Sequence, residues 1–247
     1  MEFKTSISKI TNEDVIIREQ RLSSLMKKHS FTDGIYLLLK GEFPSEKESK
    51  LFSAMLLSII DHGMGTTSAL TSRFVASGGN AVNAAVAGGV LALGDFHGGA
   101  IENCMNQLQE FLKLSEDELL LRVKQSILEK KGTLYGFGHK HYKDYDPRAK
   151  ILLDFCSEYN YESEYIKLVL TIERLIESVR GKKLVLNIDG LLSSLLLSMG
   201  FSPIIGKGFF IIGRIPGLVA HVIEEKENEK PVRRLNEEDI IYIPKKN

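Results

Sequence analysis

GFGHKHYKDYDPR, residues 136–148, places two histidines, two lysines, an arginine, two aspartates and two tyrosines behind two glycines. The run has no hydrophobic period, so it reads as a loop. Its last residues open a helix, with Asp146 as the N-cap and Pro147 at the first helical position, where a missing N–H costs nothing. Taken alone, the loop suits two descriptions: a solvated basic turn, or a place where an anionic substrate is held. The elements on either side decide between them.

Helical patterns surround it. Upstream, Gly98 to Leu114 reads as a helix, and Ser115 with Glu118 forms a capping box for another that ends near Gly132. Downstream, the helix begun at Pro147 continues through Ile151, Leu152 and Phe155. A further one spans about Glu162 to Arg180, with Gly181 as its stop. Asn187-Ile188-Asp189-Gly190 opens a helix running through Leu197. Toward the start, Ser45 and Glu48 form a second capping box. It precedes a stripe of Leu51, Phe52, Met55, Leu56, Ile59 and Ile60 that runs out at Asp61-His62-Gly63. Asn80 to Leu93 is almost wholly small and apolar, with Ala81, Ala85 and Gly88 along one side. The pattern predicts a central helix buried on all sides, a candidate subunit interface. Pro203 and Pro216 punctuate the last third, and only Ile240 to Ile243 reads as a strand. The expected fold class is all-α.

The totals exclude several classes of function. The chain has 247 residues, 43% hydrophobic and 26% charged, ordinary values for a globular protein with a sizeable core. Lys+Arg and Asp+Glu number 32 each, so no overall field points to nucleic acid or a membrane, and any anion site must be local. Cys104 and Cys156 lack metal or redox spacing and fall in apolar helical patterns, as buried thiols do. The first residues contain no apolar signal core, and no apolar stretch reaches the roughly 18 residues that cross a bilayer. A cytoplasmic protein is expected.

Most of the remaining polar candidates sit at element ends or glycine-rich joints: His62 in DHG, His97 in GDFHGG, His139 and His141 in the opening loop, Arg148 and Asp189 in first helical turns. Arg214, in GRIPG, lies between two apolar segments. Rigid elements that meet at flexible joints are where sites are built. Each residue also has a bland reading: a capping histidine, an aspartate answering a helix dipole, a structural arginine, a solvated loop. His139 and His141 have no partner at zinc-like spacing, so no metal is expected. Taken in order, however, three histidines in separate joints, one aspartate and the arginines form a set with a chemical logic.

That set resembles the citrate synthase superfamily, most of all its compact citryl-CoA lyases, including the lyase module of ATP-citrate lyase. GFGHKHYKDYDPRA is close to the family's GxGHRVYKxxDPRA signature. IYLLLKGEFPSEKE, DHGMGTTSALTSRFVASGGN, GDFHGGAIE, VLNIDGLLSSLLLSMGF and GRIPGLVAHVIEE resemble five further motifs, in family order over nearly the whole chain. The resemblance implies a helical fold with a large lobe (1–98 and 201–247, the dimer core) and a small lobe (99–200, carrying the coenzyme A site and the catalytic aspartate). It implies a reaction joining acetyl-CoA to oxaloacetate, or its reversal from citryl-CoA.

Carried over by motif, Asp189 is the base that removes a methyl proton, His97 the donor to the enolate oxygen, and His139 the polariser of the ketone. His62, Arg148 and Arg214 hold the dicarboxylate. Lys143, Gly136 and Gly138 face coenzyme A. A last arginine, supplied to the partner's site in a homodimer or larger homo-oligomer, falls on Arg234, with Arg233 as its neighbour. No permanently bound cofactor is implied, and coenzyme A enters as a thioester substrate. His97 is synthase-like, since the module of ATP-citrate lyase has Phe there, whereas the short chain is lyase-like. Thioester hydrolysis to citrate or 2-methylcitrate therefore stands as an alternative to cleavage. A non-catalytic CoA-binding regulatory protein is the alternative of another class.

Overall fold

The computed structural model describes residues 2–95 and 97–245. Among them the chain forms three short strands and eleven α-helices. They group into two compact units, Met1–Ile59 with Gly98–Phe210, and Ile60–His97 with Ile211–Asn247. The expected lobes broke after residues 98 and 200. By packing within the chain, the first 59 residues group with 98–210.

Unit one opens with an antiparallel meander of β1 (Ser8–Ile10), β2 (Val15–Ile17) and β3 (Gln20–Arg21), Ser8 facing Ile17 and Ile17 facing Gln20. Arg18 and Glu19, at φ +44° and +66°, make the left-handed pair that a two-residue hairpin turn requires. The Arg18 guanidinium donates to the Leu38 carbonyl and to Ser6 Oγ, both at 3.0 Å, which ties the turn down. Sequence reading did not foresee this sheet, because two- and three-residue strands are too short to show an alternation.

Helices α1 (Leu22–Lys28), α2 (Phe31–Lys40) and α3 (Glu46–Leu57) follow, the last two opened by complete capping boxes at Ser30/Asp33 and Ser45/Glu48. Tyr36, Phe52, Phe201 and Phe209 form an edge-and-face cluster that fastens α2 and α3 to the later part of the unit. That packing is why the early helices belong with residues 98–210. The remaining helices of the unit are α6 (Ala100–Phe111), α7 (Glu116–Leu128), α8 (Pro147–Glu158), α9 (Glu164–Arg180) and α10 (Ile188–Ser198). Helix α10 packs against α6, α8 and α9. All six residues from Leu191 to Leu196 are fully buried. Ser193 and Ser194 survive there because their hydroxyls donate back to the Asp189 and Leu191 carbonyls.

Unit two is built from α4 (Thr67–Ser77), α5 (Val82–Leu91) and the portion of α11 (Ile205–Asn228) beyond Phe210. Helix α4 escaped the sequence reading because its buried face, Ser68, Ala69, Ser72, Arg73, Ala76 and Ser77, holds only small or polar residues. The helix expected to be buried on all sides, α5, is not. It buries Ala85 and Gly89, while Leu91 is 86% exposed. Its small residues face α4: a Cβ on Gly89 would lie 2.9 Å from the Ser68 carbonyl. The all-round buried helix is α10 instead.

Helix α11 runs through Pro216 rather than stopping there, with the ring exposed. It is long and apolar enough, by length and composition, to cross a membrane, yet it buries the charged side chains of Arg214 and Glu225. The expected strand at Ile240 to Ile243 is absent. A single 3-10 turn, Glu237–Asp239, leads into a tail whose Ile241, Tyr242 and Ile243 are more than 80% exposed. A β-prone run becomes a strand only where a neighbouring ladder receives it.

Candidate active site

The residues singled out in the sequence divide between the units. Gly136, Gly138, His139, Lys143, Arg148 and Asp189 lie in unit one. His62, His97, Arg214 and Arg234 lie in unit two.

In unit one the opening loop is sewn to the start of α10. Gly138 N–H donates to the Val185 carbonyl at 2.7 Å, Asn187 N–H to the Gly136 carbonyl at 3.0 Å, and Asn187 Nδ2 to the Gly138 carbonyl at 2.8 Å. Asn187 is also the N-cap of α10, receiving Gly190 N–H. One asparagine therefore fixes both the loop carrying His139 and the helix whose first turn carries Asp189. Gly136 and Gly138 both sit at φ +85°, open to glycine at no strain.

Asp146 closes the same structure from the other side. Its fully buried carboxylate receives Arg148 N–H and Nε on Oδ1, and Arg148 Nη2 and Ile188 N–H on Oδ2. Burial alone would raise this carboxyl. The bonds and charge of Arg148 overcome it and hold Asp146 below its ordinary value. Arg148 is thereby oriented through a bidentate fork and remains partly exposed.

His139 Nδ1 accepts from the His141 and Tyr142 backbone N–H groups at 3.1 and 3.2 Å, so the proton of the neutral ring sits on Nε2. Tyr142 stacks on the imidazole with centroids 4.4 Å apart. Burial is the largest influence on this ring and lowers its pKa; Arg148, His141 and Lys143 push the same way, against Asp146. Lys143 Nζ donates to the His139 carbonyl at 3.0 Å. Beside this loop lies a groove of about 500 Å³, lined by Gly138, His139, Tyr142, Lys143, Arg180, Lys182 and Lys183 among others.

In unit two, His97 Nε2 lies 2.8 Å from Ser68 Oγ and receives Ser68 N–H at 3.4 Å. Ser68 stands in the first turn of α4, so the ring nitrogen meets the positive end of that helix. The arrangement selects the neutral tautomer with its proton on Nδ1. Burial lowers the His97 pKa most, and the charges of Arg214 and His62 lower it further. Arg214 is buried in α11, and His62 is exposed, following Asp61. Asp61 is pinned by His221 Nε2 at 3.2 Å and by Gly63 N–H at 2.8 Å. Arg234 is exposed near the end of the unit, while Arg233 is engaged by Glu225.

Sequence reading missed Ser68, the wider role of Asp146, and Arg180, Lys182 and Lys183. Ser68 gave no signal, because its partner is 29 positions away. The basic run before VLNIDG was visible, but only its Gly181 was used, as a helix stop.

Three comparisons place the chain among known proteins. The family model for the citrate synthase C-terminal domain matches residues 44–235. Citrate synthase 2 of Bacillus subtilis (strain 168) is 31% identical over 209 residues, 83% of this chain and 55% of that protein. The chain thus spans about half the length of that curated relative. The structure of citryl-CoA lyase from Hydrogenobacter thermophilus superposes with a TM-score of 0.93 at 45% identity, covering 99% of this chain and 96% of that one. ATP citrate lyase from Methanothrix soehngenii, solved with citrate and coenzyme A, shares the fold at a TM-score of 0.87 and 23% identity, over 42% of its length. On its motifs, its fold and these matches, the chain belongs to the citrate synthase C-terminal domain family.

Proposed function

We propose that the protein is a citryl-CoA lyase-type enzyme that breaks, or forms, the carbon–carbon bond between acetyl-CoA and oxaloacetate. The observation that carries this reading is the two-way, nearly full-length likeness to a citryl-CoA lyase. The neutral tautomers of His97 and His139 support it.

In condensation, the Asp189 carboxylate takes a proton from the thioester methyl, and Nδ1–H of His97 holds the enolate oxygen. The new carbanion attacks the ketone of oxaloacetate. Nε2–H of His139 holds that ketone oxygen as it becomes an alkoxide, which then takes its proton from water. Two backbone N–H groups on Nδ1 make the opposite nitrogen a better donor. Cleavage retraces these steps. Water takes the citryl hydroxyl proton while Nε2–H of His139 holds that oxygen, and protonated Asp189 returns one to the departing acetyl carbon. Arg148, Arg214 and His62 hold the carboxylates. Arg234 serves the site of a second copy. The basic groove beside His139 takes coenzyme A phosphates, with Lys143, Arg180, Lys182 and Lys183 supplying the charge. No resident cofactor enters the scheme.

A homodimer fits the exposed apolar positions of unit two: Leu70 and Phe74 four apart on α4, and Ala84, Ala87 and Leu91 along one stripe of α5. The two expected lobes, 1–98 with 201–247 and 99–200, are proposed to close on the bound substrates. The buried thiols of Cys104 and Cys156 suit a reducing, cytoplasmic setting. A synthase that also hydrolyses the thioester is the second reading, favoured by His97 and by the synthase relatives.

Purified protein given citryl-CoA tests both, with products identified by mass spectrometry and Asp189→Asn as control. Acetyl-CoA with oxaloacetate is the expected pair. Citrate with free coenzyme A would turn the assignment to a synthase. Turnover no greater than the control would leave a non-catalytic CoA-binding protein.

A further inference from the structure

We propose that Arg233 is a positioning residue, anchored on buried Glu225 so that the neighbouring Arg234 is presented at a fixed place to the site of a second copy. The proposal rests on the reading of Arg234 as a carboxylate clamp and adds the device that aims it.

After α11 ends at Asn228, the chain has neither helix nor strand until the turn at Glu237. Among the described residues from 230 to 235, Arg233 alone bonds its side chain to the rest of the unit. Its Nε donates to Glu225 Oε1 at 2.9 Å and its Nη2 to Oε2 at 2.7 Å. Two parallel bonds set the plane of the guanidinium as well as its position. The acceptor is itself immobile. The Glu225 side chain is 1% exposed, and its Oε2 also receives Nε of Arg73, on α4, at 2.7 Å. Glu224 and Glu229 complete the cluster on its outer side.

One buried carboxylate thus joins α4, α11 and the segment after α11. Arg73 reaches Glu225 through Oε2 alone, and Arg233 supplies the bond to Oε1. Arg233 is 31% exposed, but its acceptor is buried, so its loss would cost some stability by leaving Oε1 without that bond. Its fork also supplies placement. Arg234 begins one peptide unit away, about 3.8 Å between Cα atoms. Its own side chain is exposed and, among the described residues, forms no hydrogen bond or ion pair within its chain. A long arginine rooted on an unanchored segment would sample many positions. Rooted beside Arg233, it starts from one.

The test is a double-mutant cycle on the full chain, read by calorimetric affinity for oxaloacetate, with melting temperature as control. Arg234→Ala gives the effect of losing the clamp. Arg233→Ala should weaken oxaloacetate binding about tenfold, as loss of alignment does, with the melting temperature lowered by the bond lost at Glu225 Oε1. The pair Arg233→Ala/Arg234→Ala should be no worse than Arg234→Ala alone, because aiming matters only while the clamp exists. Arg233→Lys, which keeps a charge and loses the fork, should fall between wild type and Arg233→Ala, and it serves if the alanine variant folds poorly. An unchanged affinity in both Arg233 variants beside a weakened Arg234→Ala would overturn the positioning role, as would effects that multiply. An unchanged Arg234→Ala would instead remove the clamp itself.

Discussion

At His139 and His97 the backbone decides the chemistry before any substrate arrives. Each ring has one nitrogen receiving a backbone N–H, Nδ1 in His139 and Nε2 in His97, and each is shifted below the ordinary histidine value of 6.5, chiefly by burial. Both are therefore neutral donors at neutral pH. The profile of kcat/KM against pH should keep its plateau below pH 6.5 and fall only as the pH passes through these lowered values. An acid limb centred at or above 6.5 would mean that at least one ring is not lowered as described, and activity falling as pH rises past 6.5 would mean that one ring works as imidazolium. Stability should follow the same sign. Between the lowered values and 6.5, the unfolded chain binds more protons than the folded one, so stability rises with pH in that window and is lost on acidification through it. The histidines, Asp189 and the arginines could be singled out in the sequence because their motifs name them. The tautomers were not, because the donors that select them are a serine 29 positions away and two amides of a folded loop.

At the scale of elements, the glycines of the loop and of α10 interlock. A Cβ on Gly190 would stand 2.4 Å from the Gly136 carbonyl, and one on Gly136 would stand 2.5 Å from the Gly190 Cα. Neither obstacle is a flexible side chain. Gly190→Ala must therefore push the loop away from the helix and lengthen the bonds at Asn187. The expected cost is about 1–3 kcal/mol of unfolding free energy, as overpacking gives. A fall in kcat of roughly a hundredfold should accompany it, since His139 and Asp189 lose their shared support. Urea unfolding and steady-state kinetics on the variant check both, and a fully active, fully stable protein would show that the interlock yields freely. Elements announced by local chemistry were legible: the capping boxes at Ser45 and Ser115, the Asp146–Pro147 start, the Gly181 stop. Elements that depend on what they meet were not. Helix α4 hides behind serines, the meander is held by a distant arginine bond, and Ile240 to Ile243 has the composition of a strand without a ladder to join.

For the whole molecule, the proposed dimer has a consequence that a monomeric enzyme cannot imitate. If Arg234 works in the partner's site while Asp189 works in its own, the two residues of one working site come from different chains. Chains carrying Asp189→Asn alone, or Arg234→Ala alone, then give homodimers defective at both sites. A mixed dimer is different. The site holding the intact Asp189 receives the intact Arg234 from the other chain, and the second site collects both lesions. Half of the dimers in an equal, fully exchanged mixture are mixed, and half of their sites work, so about a quarter of wild-type turnover should return. The exchange must pass through separated chains, so recovery should require prior dissociation and remixing. Activity measured before and after that step makes the comparison. Recovery near a quarter places Arg234 across the interface. A remixed sample no more active than the average of its two parents would place both residues on the same side, or leave the protein without the proposed dimer.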